Sequence, residues 1–416
     1  MSFSKKYNNP KKKNGFKPGP FDYHEEIEVE ITSLTNMGQG IARTDENWVI
    51  LVPFCVPGEK VIARIYRNQK NYSEADLLRV ISPSPERVQP ECNIFGSCGG
   101  CQYQHIKYLE QLRWKKKQVE ELLFHMAGIT CNIDDVTPSP QKYSYRTKLT
   151  PHFNKPKDGD VGPIGFQQPG RRSLVDVEAC PIAHQIINDN LQEIRKDVRE
   201  NAGTYKRGST LLIRVDSKGK IHTKPDSIAI EKVGSMEFHF PAGSFFQNNA
   251  SILVDFTHYV KSEAKSSGQK YLIDAYCGAG LFSLTSASEF ESVIGIEVSV
   301  HSIKWAKFNA KINQISNASF LAGKVEDLFK DVDVPGNETA VVIDPPRKGC
   351  SEDFLKQLFA FAPDTVIYVS CNPATQMRDL KQFLKSGYKL KRVMPFDLFP
   401  QTKHLECVMT LSRNSH

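Results

Sequence analysis

Residues 271–280 read Tyr-Leu-Ile-Asp-Ala-Tyr-Cys-Gly-Ala-Gly, an apolar run followed by a Gly-x-Gly turn. A continuous apolar run is typical of a parallel strand buried on both faces, and the glycines let the backbone of the turn approach a ligand. Strands and helices alternate from about residue 265 onward. Further strands are predicted at 292–297, 339–344 and 364–370, helices at 301–313, 354–361 and 373–386, and a closing hairpin at 390–395 and 404–412. The pattern predicts a doubly wound α/β domain.

The Gly-rich turn favours S-adenosylmethionine over a dinucleotide. A dinucleotide-binding turn has a third glycine where this chain has Ser283, because the pyrophosphate must be cradled there. S-adenosylmethionine has no pyrophosphate. The second strand ends in Glu297, placed to accept hydrogen bonds from ribose hydroxyls, and a later strand ends in Asp344-Pro345-Pro346. An acidic strand end taken alone is equally compatible with a helix cap.

A thiol and a carboxylate follow at the ends of two neighbouring strands. Cys371 ends an apolar, β-branched run, and Glu406 lies in the closing hairpin. Methylation of a pyrimidine at carbon 5 requires a thiolate that adds to carbon 6 and a base that removes the carbon 5 proton. Amino methyltransferases place a stacking aromatic residue after Asp-Pro-Pro, where this chain has Arg347. The sequence therefore favours carbon 5 chemistry, with the helix near Pro373 expected to favour the Cys371 thiolate.

Composition indicates a globular protein with a basic N-terminal tail. The chain has 416 residues, 40% hydrophobic and 24% charged, which is enough for two or three domains. It has no membrane-spanning apolar run and no secretory signal, so we expect a cytoplasmic protein. Six lysines in residues 1–20 account for most of the net charge of +7. We expect residues 1–22 to be disordered, serving either RNA binding or solubility.

Three further segments follow the tail. Residues 23–85 contain short strands broken by Gly, Pro and Asn, the pattern of a small oligonucleotide-binding (OB-like) β-barrel. Residues 86–255 are predicted to form a central α+β domain, with a helix at 105–128 that packs on the next domain. Residues 256–416 form the predicted α/β domain.

Four cysteines are candidate ligands of a metal centre. Cys92, Cys98 and Cys101 share a Gly-bearing loop, and Cys180 lies far downstream. Iron–sulfur clusters often take three ligands from one such loop, whereas zinc ribbons usually bring two C-x-x-C knuckles. The spacing favours a [4Fe-4S] cluster over zinc; three neighbouring thiols with no metal are the remaining alternative.

Motifs along nearly the whole chain resemble the RNA uracil-5 methyltransferase family. They are Phe-Phe-Gln-Asn at 245–248, Asp-Pro-Pro-Arg-Lys-Gly at 344–349, Ser-Cys-Asn-Pro-Ala-Thr at 370–375, Phe-Pro-Gln-Thr at 399–402 and His-Leu-Glu at 404–406. The resemblance implies an α/β class I S-adenosylmethionine-dependent methyltransferase fold, an N-terminal TRAM barrel and a central iron–sulfur domain. The Cys92, Cys98, Cys101 and Cys180 set is similar to the [4Fe-4S] site of the family's ribosomal-RNA branch.

The resemblance also implies the roles of individual residues. Cys371 matches the family's nucleophile and Glu406 its proton-abstracting base. The residues matching the S-adenosylmethionine site are Gln247, Tyr276, Glu297 and Asp344.

The expected reaction is methylation of uracil carbon 5 in structured RNA by a monomeric enzyme, with no role for DNA or membranes. The predicted substrate is 23S ribosomal RNA, and the alternative is the T-loop uridine of tRNA. Residues 143–153 look more like some eukaryotic-type tRNA enzymes of the family. A cytosine-5 RNA methyltransferase and a non-catalytic RNA-binding protein are the remaining alternatives.

Overall fold

The computed structural model describes residue 17, residues 19–323, residue 329 and residues 332–413. Most of the predicted basic tail therefore lies outside the described residues. The chain forms two compact units, of which the first contains the residues up to Pro90 together with Gln102–Lys107. The second contains Glu91–Cys101 and the chain from Tyr108 onward. The domain boundaries at residues 22, 85 and 255 stay predictions.

The first unit is built on one sheet of short strands. Its strands are β1 (Glu26–Glu30), β2 (Ser33–Leu34), β3 (Gln39–Arg43), β4 (Val49–Pro53), β5 (Lys60–Asn68) and β6 (Tyr72–Ser82). They are ordered β1-β5-β6-β4-β3-β2, with β4 and β6 parallel and the other pairs antiparallel. Buried and more exposed residues alternate along β3, β4 and the first part of β5. One face thus supplies a small core that includes Ile50, Val61 and Ala75.

The first part of the second unit combines small antiparallel sheets with two helices. Its helices are α1 (Tyr108–Leu122), which continues as a π-helical turn over Leu123–Ala127, and α2 (Gln185–Glu200). Its strands are β7 (Lys148–Leu149), β8 (His152–Phe153), β9 (Ile164–Gln167), β10 (Leu174–Asp176), β11 (Ser209–Thr210), β12 (Ile213–Val215), β13 (Ile221–His222), β14 (Ile228–Val233) and β15 (Met236–Pro241). The π-helical turn ends at Gly128, whose φ of 70° is one that glycine adopts without strain.

Seven of the described strands form the large sheet of the second unit. They are β16 (Tyr271–Ala275), β17 (Ser292–Glu297), β18 (Ala318–Ala322), β19 (Thr339–Ile343), β20 (Thr365–Ser370), β21 (Tyr388–Phe396) and β22 (Glu406–Arg413). The order is β18-β17-β16-β19-β20-β22-β21. The first five are parallel, and β22 is antiparallel to both of its neighbours. The predicted doubly wound α/β architecture is confirmed.

Helices cover both faces of this sheet. They are α3 (Leu253–Lys265), α4 (Leu281–Ser286), α5 (Val300–Ile312), α6 (Glu352–Phe361) and α7 (Pro373–Lys385). Helices α3, α4 and α5 share one apolar core with the strands, and α6 and α7 share the other with the C-terminal end of α1. Burial on both faces explains why the central strands are continuously apolar. Each helix in the described part of the chain is too short or too polar to span a bilayer.

Candidate active site

The predicted nucleophile and base lie at the same end of two paired strands. Ser370, the last residue of β20, pairs with Cys407 of β22. Cys371 directly follows Ser370, and Glu406, the first residue of β22, directly precedes Cys407, so both residues lie at the same end of this strand pair. The charge of Glu406 raises the pKa of Cys371, which requires the two groups to be close to each other. The two strands therefore bring a thiol and a carboxyl group together at one edge of the sheet.

The environment of Cys371 disfavours its thiolate. Burial raises the pKa of this thiol to about 11, and the carboxyl groups of Glu406 and Asp344 act in the same direction. Arg347 acts against them, through its charge and through a hydrogen bond to the thiol. The N-terminus of α7 was expected to lower the pKa of Cys371. Burial and the two nearby carboxyl groups outweigh that effect, so the pKa is raised.

Glu406 is held as a strong base. Its side chain is 3% exposed, and burial together with Asp344 keeps the pKa of this carboxyl well above the ordinary value, while Arg347 lowers it. Among the described residues its Oε2 has no hydrogen-bond partner. One carboxyl oxygen thus has unused hydrogen-bonding capacity, and a carboxylate in this environment would bind a proton tightly.

Arg347 joins the site as a residue whose role the sequence did not indicate. Its main-chain oxygen accepts hydrogen bonds from Asn372 Nδ2 at 3.0 Å and from Thr375 Oγ1 at 3.2 Å. These contacts fix the Asp-Pro-Pro-Arg segment beside the Cys371 turn. The sequence shows that residue 347 is not aromatic. The effect of the Arg347 guanidinium on the pKa values of Cys371 and Glu406 depends on the folded arrangement and cannot be inferred from the sequence.

The Gly-rich turn after β16 has the backbone that a closely approaching ligand needs. Tyr276, Gly278 and Gly280 have φ values of 70°, 55° and 92°. A Cβ atom built on Gly278 would meet nothing within 4 Å, so open space adjoins the turn. The turn is anchored by Asp274, whose Oδ2 accepts hydrogen bonds from the Ser283 N–H at 2.8 Å and hydroxyl at 2.6 Å.

Several carboxyl groups lie near this turn. Glu297 accepts hydrogen bonds from the N–H groups of Gly278, at 3.3 Å, and Ser299, at 3.0 Å, which fix its orientation after β17. Asp274 Oδ1 is buried without a partner among the described residues. Burial raises the pKa values of both Asp274 and Asp344 to about 7.

The predicted donor-site residues come from four segments of the second unit. Asp344 directly follows β19, Tyr276 follows β16, and Gln247 is 6% exposed in the segment between β15 and α3. Glu297 beside an open Gly-rich turn, with further carboxyl groups nearby, fits a ligand that carries hydroxyl groups and a positive charge. S-adenosylmethionine has both.

The loop between β21 and Glu406 is held by one buried ammonium group. Lys115 of α1 is 1% exposed and donates from Nζ to Asp397 Oδ1 at 2.6 Å, to Phe399 O at 3.3 Å and to His404 O at 2.9 Å. These acceptors lie at the start, within and near the end of the loop. Lysine has three N–H donors, and each of these contacts can use one.

Uncharged side chains hold the same loop at intermediate points. Gln111 of α1 exchanges two hydrogen bonds with Gln401, at 3.0 and 3.2 Å. The Tyr145 hydroxyl donates to Pro400 O at 3.0 Å, and Asn249 Nδ2 donates to Leu398 O at 3.0 Å. We call residues 397–405 the clamped loop. Its position is therefore fixed by segments far away in the chain.

The four predicted cluster ligands all lie in the second unit. Burial raises the pKa of Cys180 to about 11, and the charges of Cys92 and Cys98 act in the same direction, so these three thiols are close enough to affect one another. The Gly100 N–H lies 3.5 Å from Cys98 Sγ. Sulfur atoms receiving backbone N–H groups suit an iron–sulfur cluster. In the described ranges, however, no group of three or more His, Cys, Asp and Glu side chains is arranged as a metal site.

Family models match most of the chain. The model described as tRNA (uracil-5-)-methyltransferase matches residues 210–414, and the TRAM domain model matches residues 24–78. The predicted TRAM domain is confirmed.

Curated relatives match more than nine-tenths of this chain. The tRNA (uracil(54)-C(5))-methyltransferase of Schizosaccharomyces pombe is 44% identical, over 95% of this chain and 79% of that protein. Its namesake from Saccharomyces cerevisiae is 34% identical, over 95% and 75%. An uncharacterized RNA methyltransferase of Synechocystis is 31% identical, over 92% and 95%. The two named relatives favour the tRNA alternative over the ribosomal RNA expected from the sequence.

A solved structure has the same fold. The tRNA (uracil-54, C5)-methyltransferase of Pyrococcus abyssi, in complex with S-adenosyl-L-homocysteine, superposes with a TM-score of 0.72 at 23% identity. The match covers 92% of this chain and 100% of that one. The predicted class I methyltransferase fold with an N-terminal TRAM domain is confirmed.

Proposed function

Since the chain belongs to the RNA uracil-5 methyltransferase family, we propose that it methylates carbon 5 of uracil 54 in the T-loop of tRNA. It is an S-adenosylmethionine-dependent RNA methyltransferase. The names of the two yeast relatives support tRNA as the substrate. One observation carries the chemistry: Cys371 and Glu406 lie at the same end of the paired strands β20 and β22, close enough for the charge of Glu406 to act on the Cys371 thiol.

Cys371 opens the reaction. Its thiolate adds to carbon 6 of a uracil that has been extruded from its loop, so that an S–C6 bond forms and the electrons of the C5=C6 bond move into an enolate. Carbon 5 becomes nucleophilic. When bound, S-adenosylmethionine supplies the methyl group that carbon 5 takes up. Arg347 assists the first step, because its guanidinium favours the thiolate.

Glu406 closes the reaction. Its carboxylate removes the remaining proton from carbon 5, the C5=C6 bond forms again, the S–C6 bond breaks and Cys371 leaves as thiolate. The raised pKa of Glu406 makes the carboxylate a good proton acceptor, but it also means that the group must lose its own proton beforehand.

The residues proposed to hold the donor are Gln247, Tyr276, Glu297 and Asp344. Glu297 is oriented by two backbone N–H groups, as ribose binding requires. Its carboxylate oxygens accept from the ribose hydroxyls, and the carboxyl group of Asp344 lies between the donor turn and Cys371. The negative charge of these groups favours a sulfonium ligand.

Cys92, Cys98, Cys101 and Cys180 are proposed to hold a [4Fe-4S] cluster. The effects of Cys92 on the pKa of Cys98, and of both on the pKa of Cys180, support the assignment together with the N–H group near Cys98. Such a cluster would join the loop at 91–101 to Cys180 and thereby act as a structural crosslink.

The test is methyl transfer to defined transcripts. Purified protein is incubated with labelled S-adenosylmethionine and a tRNA transcript, a matched transcript with cytidine at position 54, or 23S ribosomal RNA. We expect label only in the tRNA with uridine 54, mapped there by mass spectrometry, and none with Cys371→Ala. Methylation of 23S ribosomal RNA but not of tRNA would replace the substrate, and undiminished turnover by Cys371→Ala would refute the mechanism.

A further inference from the structure

Helix α5 carries an unusual outer surface. Its thirteen residues, Val300–Ile312, include three lysines and no acidic residue. The buried side consists of Ile303, Ala306, Asn309 and Ala310. At 100° per residue, the opposite side presents His301, Lys304, Trp305, Lys307, Phe308 and Lys311. We call these six residues the α5 face.

The α5 face is divided lengthwise into two stripes. Lys304, Lys307 and Lys311 are exposed and follow one another at helical spacing along one side. Over the described part of the chain, none of the three pairs with a carboxylate. Their Cα atoms are separated along the helix axis by about 4.5 and 6 Å, at 1.5 Å per residue. Consecutive phosphates of an RNA strand could contact such a row.

The second stripe is aromatic. His301 and Trp305 have ring centroids 6.5 Å apart, and Trp305 and Phe308 have centroids 5.6 Å apart, both edge to face. The row continues to His239 of β15, 5.3 Å from Phe308. Phe308 is 41% exposed. A helix side that only faces water exposes charges, not a row of rings.

We propose that the α5 face binds RNA nucleotides that flank the target base, with phosphates along the lysine stripe and bases against the aromatic stripe. Cationic rows beside stacking rings are how proteins hold single-stranded nucleic acid. The lack of any carboxylate on α5 favours a polyanion over a protein segment of mixed charge.

The position of α5 indicates that the nucleotides on the α5 face are different from the target nucleotide at Cys371. Helix α5 starts three residues after Glu297. It therefore begins at the carboxyl ends of the parallel strands, where Cys371 also lies. Strands β17 and β20 are separated by β16 and β19, so about 14 Å lies between them at ~4.8 Å per strand. The nucleotides on α5 are therefore separate from the one bound at Cys371. The inference rests on the proposed function only in taking tRNA as the RNA.

The test is RNA affinity rather than methylation. Filter binding measures the Kd for an unmodified tRNA transcript and for the matched transcript with cytidine 54, at several salt concentrations. The variants are Lys304→Ala/Lys307→Ala/Lys311→Ala and Trp305→Ala/Phe308→Ala. The matched control is Lys381→Ala/Lys385→Ala/Lys389→Ala, which removes three exposed lysines from α7 and β21.

We expect the aromatic variant to weaken binding of both transcripts by about tenfold, toward the lower end of the range for loss of one stacked base. The lysine variant should also weaken binding of both transcripts, most strongly at low salt. The lysine variant should also reduce the slope of log Kd against log salt by about 2, at roughly 0.7 per lost phosphate contact. The control should change neither quantity. Affinity for S-adenosylmethionine and kcat at saturating tRNA should stay within twofold in all variants.

Unchanged affinity and salt slope in both α5 variants would overturn the proposal. So would a wild-type dimer that the aromatic variant converts to monomer with RNA affinity intact, since the face would then join two copies. If uridine 54 is not methylated but the α5 variants still lose affinity for the transcripts, the proposed function fails and this inference stands.

Discussion

The carboxyl group of Glu406 is the residue whose replacement should separate the two halves of the reaction. Glutamine has the shape of the protonated carboxyl group, which the raised pKa favours in the free protein, but it cannot accept the carbon 5 proton. Glu406→Gln should therefore methylate carbon 5 and stop with the S–C6 bond intact. We expect a denaturant-resistant protein–RNA band on a gel, and turnover reduced by about 10² or more, within the range for loss of a general base.

The control for this prediction is Cys371→Ala/Glu406→Gln, which should give no such band. Retained turnover by Glu406→Gln without any adduct would remove Glu406 from the role of base.

Arg347 should set the pH at which Cys371 becomes reactive. The pKa of this thiol is about 11. At pH values below 11, the thiolate fraction therefore increases about tenfold for each unit by which the pH is raised. Because Arg347 lowers the pKa, Arg347→Gln should raise it and slow alkylation at any lower pH. We expect roughly a tenfold loss, the effect of one pKa unit. The measurement is the rate of iodoacetamide labelling of the peptide containing Cys371, followed by mass spectrometry across alkaline pH without RNA.

The matched control is Lys348→Gln, which removes the neighbouring exposed cation. An equal shift of the labelling profile in both variants would assign the effect to general charge and not to Arg347.

At the scale of elements, the clamped loop links α1 to the catalytic base. Lys115 and Asp397 both have fully buried side chains. Lys115→Met would leave the Asp397 carboxylate and two carbonyl oxygens without this donor. Breaking a buried ion pair from one side costs about 3–5 kcal/mol. We expect a loss of that order in urea denaturation, together with a fall in kcat larger than the change in KM, since Glu406 directly follows the loop.

Lys116→Met is the control for this effect of position. Lys116 pairs with Asp135, whose side chain is 95% exposed, and such pairs contribute less than about 1 kcal/mol. In addition, Lys115→Met/Asp397→Asn removes the uncompensated charge. If that double variant recovers stability and full kcat alike, Lys115 has no positioning role beyond keeping the protein folded.

The strands and helices show which parts of the fold could be predicted from the sequence and which could not. Strands β16, β17, β19 and β20 were predicted to within one residue at each end, because strands buried on both faces are continuously apolar. Strand β18 was missed, since it lies at the sheet edge and only Phe320 of its five residues is buried. Helix α2 was missed although Ile187, Leu191 and Val198 repeat at helical spacing, because charged residues dominate it.

In the candidate site, too, some features could be predicted from local sequence motifs and others depend on contacts between distant parts of the chain. Cys371 and Glu406 could be predicted because each lies in a short motif at a strand end. The contact between Lys115 and Asp397 spans 282 positions of the chain, and no local pattern indicates it. The raised pKa of Cys371 likewise depends on burial and on the carboxyl groups of Glu406, in β22, and Asp344, directly after β19.

For the whole molecule, the cysteine loop occupies a particular place in the chain. Glu91–Cys101 belongs to the second unit, while the segments before and after it, up to Pro90 and Gln102–Lys107, belong to the first. The chain therefore passes from the first unit to the second after Pro90 and back to the first after Cys101, and we call these two points the crossings. A cluster held by this loop and Cys180 would fix the loop within the second unit between the two crossings. Removing one ligand should therefore loosen the chain at both crossings as well as abolish the cluster.

Cys98→Ser tests this at the level of the intact protein. We expect anaerobically purified wild-type protein to be brown and to contain iron and sulfide, and the variant to be colourless and cleaved faster by protease between residues 85 and 108. Cys131→Ser, which changes an exposed cysteine outside the set, should behave as wild type. A brown Cys98→Ser protein with full iron content would exclude Cys98 as a ligand. A colourless wild-type protein with the same protease resistance as the variant would mean that hydrogen bonds alone hold the loop, among them the one from the Gly99 N–H to Gln167 O at 2.9 Å.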